Sequence, residues 1–547
     1  MDPMKKRKIL RNVCVSLLFV LIFVGSLLAI IYLLPDQFVK IEKNEIAAPS
    51  FKTASGFYEK PFYLRINVPN GTRVYYTTDC TAPTTFSTLY KEPIYVYDRS
   101  AEENIYRSVN NVIKDYDKNW RESEKVDKGF VVRAIAVDAF DRVSEVVTST
   151  YFIGLDKYKD ANVVSIVAEP DDLFGPDGIY VTGSEYDEWL ANNRSGDEPT
   201  CNFLKKGDDW ERAAGFEYFE NSREVLNQQV GIRIQGNHSR NLIIKRFSIF
   251  SREKYSGSDY FEAPVVNGNL QHSFYTRAGD LQYLSQEICE DRDVLTVDSK
   301  KIVLFVNGEY WCGEEQNWYL YEKFSEENIA QKYSVNADDV VIVKNGEVPK
   351  KANFGTAPFY KIENFLTVND CSKSDAYYEL DKILDMQSYI DAVCIHMYMA
   401  NIDSVDYWNN FYWHCITEQS GDKTYEKWRL GLYDLDSPWD LLSGEFKVDH
   451  PCEIDPFTMH AENVIAIGEW QVFSAFKENP VFRERFINTF IEIMTKNFDY
   501  ENVKKIMKDA GIENPVYDEF FSNRKEYMIK FLIEEFPDHK ERLESAK

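Results

Sequence analysis

The residues best placed for chemistry are carboxylates and amides in the C-terminal half of the chain. Asp434 and Asp436 stand on either side of Leu435, directly after the apolar strand LGLY. A helical run, LDMQSYIDAVCIHMYMANID, ends in Asn401-Ile402-Asp403, and Asn409 and Asn410 follow shortly after. Oxygen ligands without Cys or His select hard divalent cations such as Mg²⁺, Mn²⁺ or Ca²⁺. Because Asp and Asn are also common in caps and turns, either segment taken alone favours a structural role over a metal site.

A basic segment, GIRIQGNHSRNLIIKRFSIFSR at 231–252, supplies cations for an anionic ligand. Strand alternation places Lys245 on the same face as Phe247 and Ile249 and opposite to Arg246. An ammonium on an apolar face needs an anionic partner, which can be a carboxylate or a phosphate. Arg240 lies in the turn, where a guanidinium can bind phosphate oxygens with two parallel hydrogen bonds.

A carboxylate partner for Lys245 is available on another predicted strand. The run IVLFV at 302–306 is typical of a buried strand, and Asn307-Gly308 predicts a hairpin turn after it. The strand after the turn ends at Glu322, which is the candidate partner. The basic segment therefore predicts either a Lys245–Glu322 ion pair or a phosphate site.

Composition and missing motifs exclude several classes of protein. The 63 Lys and Arg residues against 89 Asp and Glu give a net charge of −26, which argues against a nucleic-acid binder. Nine cysteines are too few for a disulfide scaffold, and none form a CxxC pair. The sequence contains no GxxxxGK[ST], HExxH or GxSxG motif and no EF-hand loop.

The N-terminus predicts a membrane anchor. Residues 13–34 carry no charge, and a helix of that length would span roughly 33 Å, against about 30 Å for a bilayer core. The cations before it, Lys5, Lys6, Arg7, Lys8 and Arg11, predict a cytoplasmic tail over 1–12. We therefore expect a single-pass protein of the cell membrane, with a linker at 35–50 and extracytoplasmic domains beyond it. The alternative is a cleaved signal peptide, whose apolar region would be shorter.

Residues 51–156 predict a β-sandwich. Apolar residues alternate in short runs, as in Phe62, Leu64 and Ile66, and residues 101–128 read as a long insertion loop. The strings YYTTDCTAPTTFSTLYKEPIYV and VVRAIAVDAFDRVSEVVTSTYFI resemble the chitobiase/hexosaminidase C-terminal-like domain, which has an immunoglobulin-type fold. The resemblance implies a spacer, or a module that contacts cell-wall carbohydrate. Asp79-Cys80 replaces the usual Asp-Gly of its turn.

Residues 160–547 end in apolar residues at helical spacing, from about 465 onward. Five strings follow one another in a characteristic order: WERAAGFEYFE, GIRIQGNHSR–KRFSIFSR, FVNGEYW, NID–NN–W and WRLGLYDLD. Together they resemble the spore-coat protein H (CotH) kinase family. The resemblance implies an atypical protein-kinase-like fold that binds ATP and Mg²⁺, with Mn²⁺ as a substitute. It also implies phosphorylation of a partner protein rich in Ser and Thr. The expected fold class is therefore α+β.

The resemblance also implies site residues. Lys245, with Arg240 and Glu322, would hold the nucleotide, and Asp403 would orient the acceptor hydroxyl. The Mg²⁺ ligands would be Asn409, Asp434 and Asp436. One extra residue before Asn409 makes Asp406 a rival to Asp403, and an apparent three-residue insertion precedes Glu322.

Three functions remain open at this point. The leading one is a membrane-anchored, exported kinase, although ATP is scarce outside a cell. The second is a non-catalytic kinase-like surface protein that binds metal, wall polymer or a partner protein. The third, glycoside hydrolysis by Asp434 and Asp403, would need two carboxylates across a sugar-binding cleft.

Overall fold

A computed structural model describes residues 46–120, 122, 124–313, 317–344, 358–401, 411–415, 427–432, 435, 450–459 and 469–547. Within these ranges no helix is both long and apolar enough to cross a bilayer. The membrane span predicted over 13–34 lies outside them.

The N-terminal region is built from short strands around an apolar core. The strands are β1 (Ser50–Phe51), β2 (Gly56–Tyr58), β3 (Phe62–Leu64), β4 (Ile66–Asn67), β5 (Thr72–Thr77), β6 (Thr88–Leu89), β7 (Ile94–Val96), β8 (Phe130–Asp138) and β9 (Val147–Ile153). Leu64, Ile66 and Val132 belong to one buried cluster, and Phe62 packs against it. The predicted alternation is therefore confirmed. The described part of 97–129 forms neither helix nor multi-residue strand, in agreement with the predicted insertion loop.

The next strands close into a barrel. They are β10 (Val163–Ala168), β11 (Arg212–Glu220), β12 (Arg223–Gln235), β13 (Arg246–Phe250), β14 (Ser273–Ala278), β15 (Ser299–Val306), β16 (Glu309–Tyr310) and β17 (Trp318–Glu322). Hydrogen-bonded pairs run in a ring, β10–β11–β12–β13–β14–β17–β15 and back to β10. Alternate residues such as Ile232, Phe247 and Leu320 form the apolar interior.

The two β regions are joined by hydrogen bonds and by shared packing. Strand β2 pairs with β9, and its Gly56 also pairs with Arg223 of β12. From the insertion loop, Tyr106 and Val112 enter the buried cluster inside the barrel. The barrel therefore shares its core with the N-terminal region.

The C-terminal region is helical and has its own large buried cluster. Its helices are α6 (Pro358–Val368), α7 (Ser374–Leu380), α8 (Met386–Tyr398), α9 (Pro456–Met459), α10 (Glu469–Phe476), α11 (Pro480–Glu492), α12 (Tyr500–Asp509), α13 (Pro515–Glu535) and α14 (Lys540–Glu544). Five earlier helices lie between the barrel strands or directly after the last of them in the sequence: α1 (Pro170–Phe174), α2 (Ser184–Ala191), α3 (Glu253–Ser256), α4 (Leu281–Ile288) and α5 (Glu326–Tyr333). A small antiparallel sheet joins β18 (Val340–Lys344), β19 (Phe411–Cys415) and β20 (Arg429–Leu430). The fold is mixed α+β, as expected, with a sheet-rich N-terminal region and a helical C-terminal region.

Candidate functional site

Lys245 lies at the interior side of the barrel wall, just before β13. Its Nζ donates hydrogen bonds to the carbonyls of Val112, at 2.5 Å, and Leu242, at 2.6 Å. The ammonium also lies over the Phe203 ring, 4.2 Å from its centroid. The side chain is fully buried, and this burial lowers the pKa of Lys245 to about 7. The sequence correctly placed Lys245 on the same face as Phe247 and Ile249, but that face points into the protein.

Glu322 is not the partner of Lys245, so the predicted ion pair is wrong. The Glu322 carboxylate accepts a hydrogen bond from Asn267 Nδ2 at 3.3 Å. Burial, and then repulsion from Asp298, raise the pKa of Glu322 to about 7. The carboxylate lines a cavity of about 230 Å³ together with Asp298 and Lys332. The Lys245 ammonium therefore has only backbone carbonyls as hydrogen-bond acceptors among the residues that the structure describes.

Arg240 fixes the turn in which it lies. Its guanidinium donates to the carbonyls of Gly236 at 2.6 Å, Ile234 at 2.5 Å, and Phe203 and Lys205 at 3.0 Å each. These bonds use four of its N–H groups. The predicted two-point contact with phosphate would require breaking at least one of them, so the position of Arg240 argues against that role.

The predicted carboxylate and amide residues, Asp403, Asp406, Asn409, Asp434 and Asp436, lie outside the described residues. Their described neighbours are held by the fold. Asn401, at the end of α8, is buried and its Nδ2 lies 3.1 Å from His396 Nδ1. The backbone N–H of Leu435 donates to Gln282 Oε1 of α4 at 2.8 Å. Leu435, which stands between Asp434 and Asp436 in the sequence, is thus anchored beside α4.

Helix α4 begins next to strand β17, on the outer side of the barrel wall. Asp280, just before the helix, accepts a hydrogen bond from Tyr319 Oη of β17 at 2.6 Å. Tyr319 pairs with Arg277 of β14. Gln282, the residue that anchors Leu435, therefore follows shortly after Arg277 and the end of β14 in the chain.

The outward face of the barrel is polar and basic. The register aligns Arg233, Ser248, Tyr275 and Tyr321 across β12, β13, β14 and β17. On the same face, Gln235 pairs with Arg246, and Arg277 lies two residues after Tyr275. Arg246 and Arg277 are both buried. The rings of Tyr275 and Tyr321 are stacked, with centroids 5.1 Å apart.

Carboxylates neutralise part of this basic face, and Asp208 pairs with Arg233. Glu211 accepts hydrogen bonds from Arg233 and Arg252 and forms an ion pair with Lys254. Burial alone would raise the pKa of Glu211, but its hydrogen bonds with Arg252, Lys254 and Arg233 lower it to about 2. Glu211 is therefore ionised at neutral pH and holds these cations in place.

The sequence patterns did not indicate Arg246, Arg277, Arg233 or the nearby Lys323 as site residues. A signal for the first was available, because alternation places Arg246 opposite to Lys245. What the sequence does not reveal is which face becomes the interior, since this depends on closure of the barrel. In chemical terms, the outward face suits a polyanion. No cluster of three or more possible metal ligands occurs among the described residues.

Sequence comparisons identify two families. The profile described as Fn3 associated matches residues 64–151, which carry most of the N-terminal strands and the insertion loop. No curated protein matches the chain. The profile described as CotH kinase protein matches residues 232–511, just over half of the chain. This match extends from the basic strands to the C-terminal helices, and the chain belongs to the CotH kinase protein family.

Proposed function

We propose that the protein is an ATP-dependent kinase that phosphorylates Ser or Thr residues of a partner protein, such as a coat or surface protein. The observation that supports this most strongly is the family match over 232–511. That range includes both the basic outward face and the predicted acidic segments. A CotH kinase domain implies ATP and a divalent metal ion in general terms.

The outward face fits the nucleotide better than Lys245 does. Arg246 and Arg277 stand on neighbouring strands of that face, and Arg guanidinium groups bind phosphate oxygens in pairs. Lys245 is on the other side of the same strand, bonded to carbonyls. We therefore assign the phosphates to Arg246 and Arg277 rather than to Lys245 and Arg240.

The acidic residues complete the proposed chemistry. Asp403, or its rival Asp406, would accept a hydrogen bond from the acceptor hydroxyl and orient it toward the γ-phosphoryl group. Asn409, Asp434 and Asp436 would hold the metal, because carboxylate and amide oxygens are the ligands that Mg²⁺ and Mn²⁺ prefer. A bound divalent cation neutralises charge on the transferring group.

We further propose that residues 13–34 anchor the protein in the cell membrane, with the catalytic region outside the cytoplasm. The N-terminal region could then contact cell-wall carbohydrate, as its predicted resemblance implies. The charge of −26 does not favour nucleic acid as a partner.

Ligand-dependent stability tests the nucleotide assignment. The full chain in detergent is unfolded thermally with Mg²⁺ alone and then with Mg²⁺ and ATP. Because ligands that bind only the native state stabilise it, ATP at 100-fold excess over Kd should add about 2.7 kcal/mol. A shift with Mg²⁺ but none with ATP would favour a non-catalytic, metal-binding surface protein.

The metal assignment predicts the behaviour of Asp434→Asn. This variant should fold normally but lose autophosphorylation, because the amide lacks the charge that holds the metal. Asp375→Asn, an exposed substitution in α7, is the matched control and should keep full activity. Transfer of labelled phosphate to the chain measures both, and full activity of Asp434→Asn would refute the metal role.

A further inference from the structure

A small cationic cavity lies between strands β12 and β13 and the segment 202–210. Its volume is about 160 Å³. Five cationic side chains line it: Lys205, Lys206, Arg233, Arg240 and Lys323. Among the described residues that line it none is acidic, although the chain carries a net charge of −26. This concentration of one sign of charge favours an anionic ligand.

Several donors at this cavity are not used by the protein. Lys323 Nζ lies 4.5 Å from the centroid of the Phe250 ring, and no described residue accepts a hydrogen bond from it. The Oε1 atom of Gln235 accepts a hydrogen bond from Ser248 Oγ, so its Nε2 group remains as a donor. Lys206 Nζ makes only a long contact, 3.4 Å, to Asn237 Oδ1. These groups can turn toward an oxyanion without breaking strong bonds.

The surrounding charges leave Lys323 uncompensated. Burial, and then repulsion from Arg233 and Arg252, lower the pKa of Lys323 to about 8, against the opposing effect of Glu211. Glu211 already binds Arg233, Arg252 and Lys254. Asp208 also pairs with Arg233. An anion in the cavity would supply a direct partner for Lys323, to which no described carboxylate is bonded.

The size of the cavity restricts the ligand. One water occupies about 30 Å³ of liquid volume, so about 160 Å³ holds a tetrahedral oxyanion. Cavities for drug-sized ligands are about 300–1,000 Å³. The cavity is therefore smaller than those that hold drug-sized ligands, and its volume suits a single phosphoryl group.

We infer that this cavity is a binding site for a phosphoryl group, held by Lys323, Gln235 and Lys206. The same chemistry is presented by a phosphorylated serine of a partner protein and by a nucleotide whose base lies outside the cavity. With a nucleotide as the source, the inference rests on the proposed function; binding of a phosphorylated serine here does not depend on it.

Equilibrium binding to the full chain in detergent tests the inference. Inorganic phosphate, O-phosphoserine and a non-hydrolysable ATP analogue are titrated separately at constant ionic strength with chloride. We expect phosphate to bind, and Lys323→Met to weaken that binding about tenfold, in line with the loss of one charged hydrogen bond. Lys332→Met is the control, since Lys332 is an exposed lysine that lines a different cavity.

The other ligands identify the source of the phosphoryl group. Weaker O-phosphoserine binding in Lys323→Met supports a phosphorylated acceptor, and weaker binding of the ATP analogue alone supports the nucleotide. If Lys323→Met fails to fold, the exposed Lys206→Gln replaces it. Equal phosphate binding by the wild type and the folded variants, or no binding beyond that of chloride, would overturn the inference.

Discussion

Lys245 illustrates how a buried cation is tolerated at the scale of one residue. Its ammonium has two carbonyl acceptors and two aromatic rings near it, with the Tyr180 centroid at 5.3 Å and the Phe203 centroid at 4.2 Å. These groups satisfy its hydrogen bonds but supply no full negative charge. The folded state therefore disfavours the charged form.

Lys245→Met should change how stability depends on pH. The pKa of Lys245 is about 7 in the folded state and 10.5 in its ordinary environment. Between these values the unfolded chain binds the proton and the folded chain does not, so this group makes stability rise with pH, by at most about 1.4 kcal/mol per unit. Denaturation at pH 7.5 and 9.5 should show a smaller rise in the variant.

The exposed substitution Lys60→Met is the control for that measurement and should leave the pH dependence unchanged. An identical pH dependence in wild type and Lys245→Met would mean that the ammonium is not desolvated.

At the scale of elements, local sequence patterns predicted strand faces and a turn, but not which distant side chains bind each other. Alternation placed Phe247 and Ile249 on one face, and both are buried in the barrel. The Asn307-Gly308 turn is confirmed, since both residues have positive φ, 48° and 79°, between β15 and β16.

Partners that are distant in sequence escaped prediction for a physical reason. Arg240 binds the carbonyls of Phe203 and Lys205, which no local pattern connects to the turn. The interior position of Lys245 follows from pairings such as β10 with β15, which close the barrel across more than a hundred residues. The roles of Asp403, Asn409, Asp434 and Asp436 stay predictions.

The β15–β16 turn provides a prediction about its close contact with the start of β8. Gly308 has φ +79°, and a Cβ there would lie 2.7 Å from the Gly129 carbonyl oxygen at the start of β8. Gly308→Ala should therefore destabilise the fold by more than the about 1 kcal/mol expected from backbone strain alone. Urea denaturation measures the difference.

Gly268→Ala is a matched control for this prediction. Gly268 has a similar φ, +83°, and nothing lies within 4 Å of the added Cβ. Equal losses of stability in the two variants would show that the close approach to Gly129 has no energetic effect.

At the scale of the whole molecule, the N-terminal region is more than a spacer. The Glu309 carboxylate of the barrel accepts hydrogen bonds from the backbone N–H groups of Ile105, Tyr106 and Arg107 in the insertion loop. The backbone carbonyl of Val112, in the same loop, accepts a hydrogen bond from Lys245 Nζ. The loop thus caps one end of the barrel, and we expect the two regions to unfold together.

A second contact between the regions is sensitive to pH. Glu217 of β11 is fully buried and accepts hydrogen bonds from Thr150 N, at 2.9 Å, and from Thr150 Oγ1 of β9. Burial raises the pKa of Glu217 from 4.5 to about 8. The folded state holds this proton more tightly, so the contribution of Glu217 to stability is present below pH 4.5 and is lost as pH rises toward 8.

Glu217→Gln should remove this loss, because the neutral amide can accept from Thr150 N and donate to Thr150 Oγ1. The variant should gain stability over wild type between pH 5 and pH 8, by at most about 1.4 kcal/mol per unit. Chemical denaturation across this range measures the gain, with the exposed Glu59→Gln as control. A constant difference between variant and wild type would contradict a buried, protonated Glu217.

The most direct measurement compares two neighbours on opposite faces of one strand. The dissociation constant of ATP with Mg²⁺ is determined for the wild type, Arg246→Met and Lys245→Met. If the outward face of the barrel holds the phosphates, Arg246→Met should raise the constant about tenfold or more, as expected for a lost charged contact. Lys245→Met should leave it nearly unchanged. The opposite result, loss with Lys245→Met and none with Arg246→Met, would place the nucleotide on the other face and contradict the assignment.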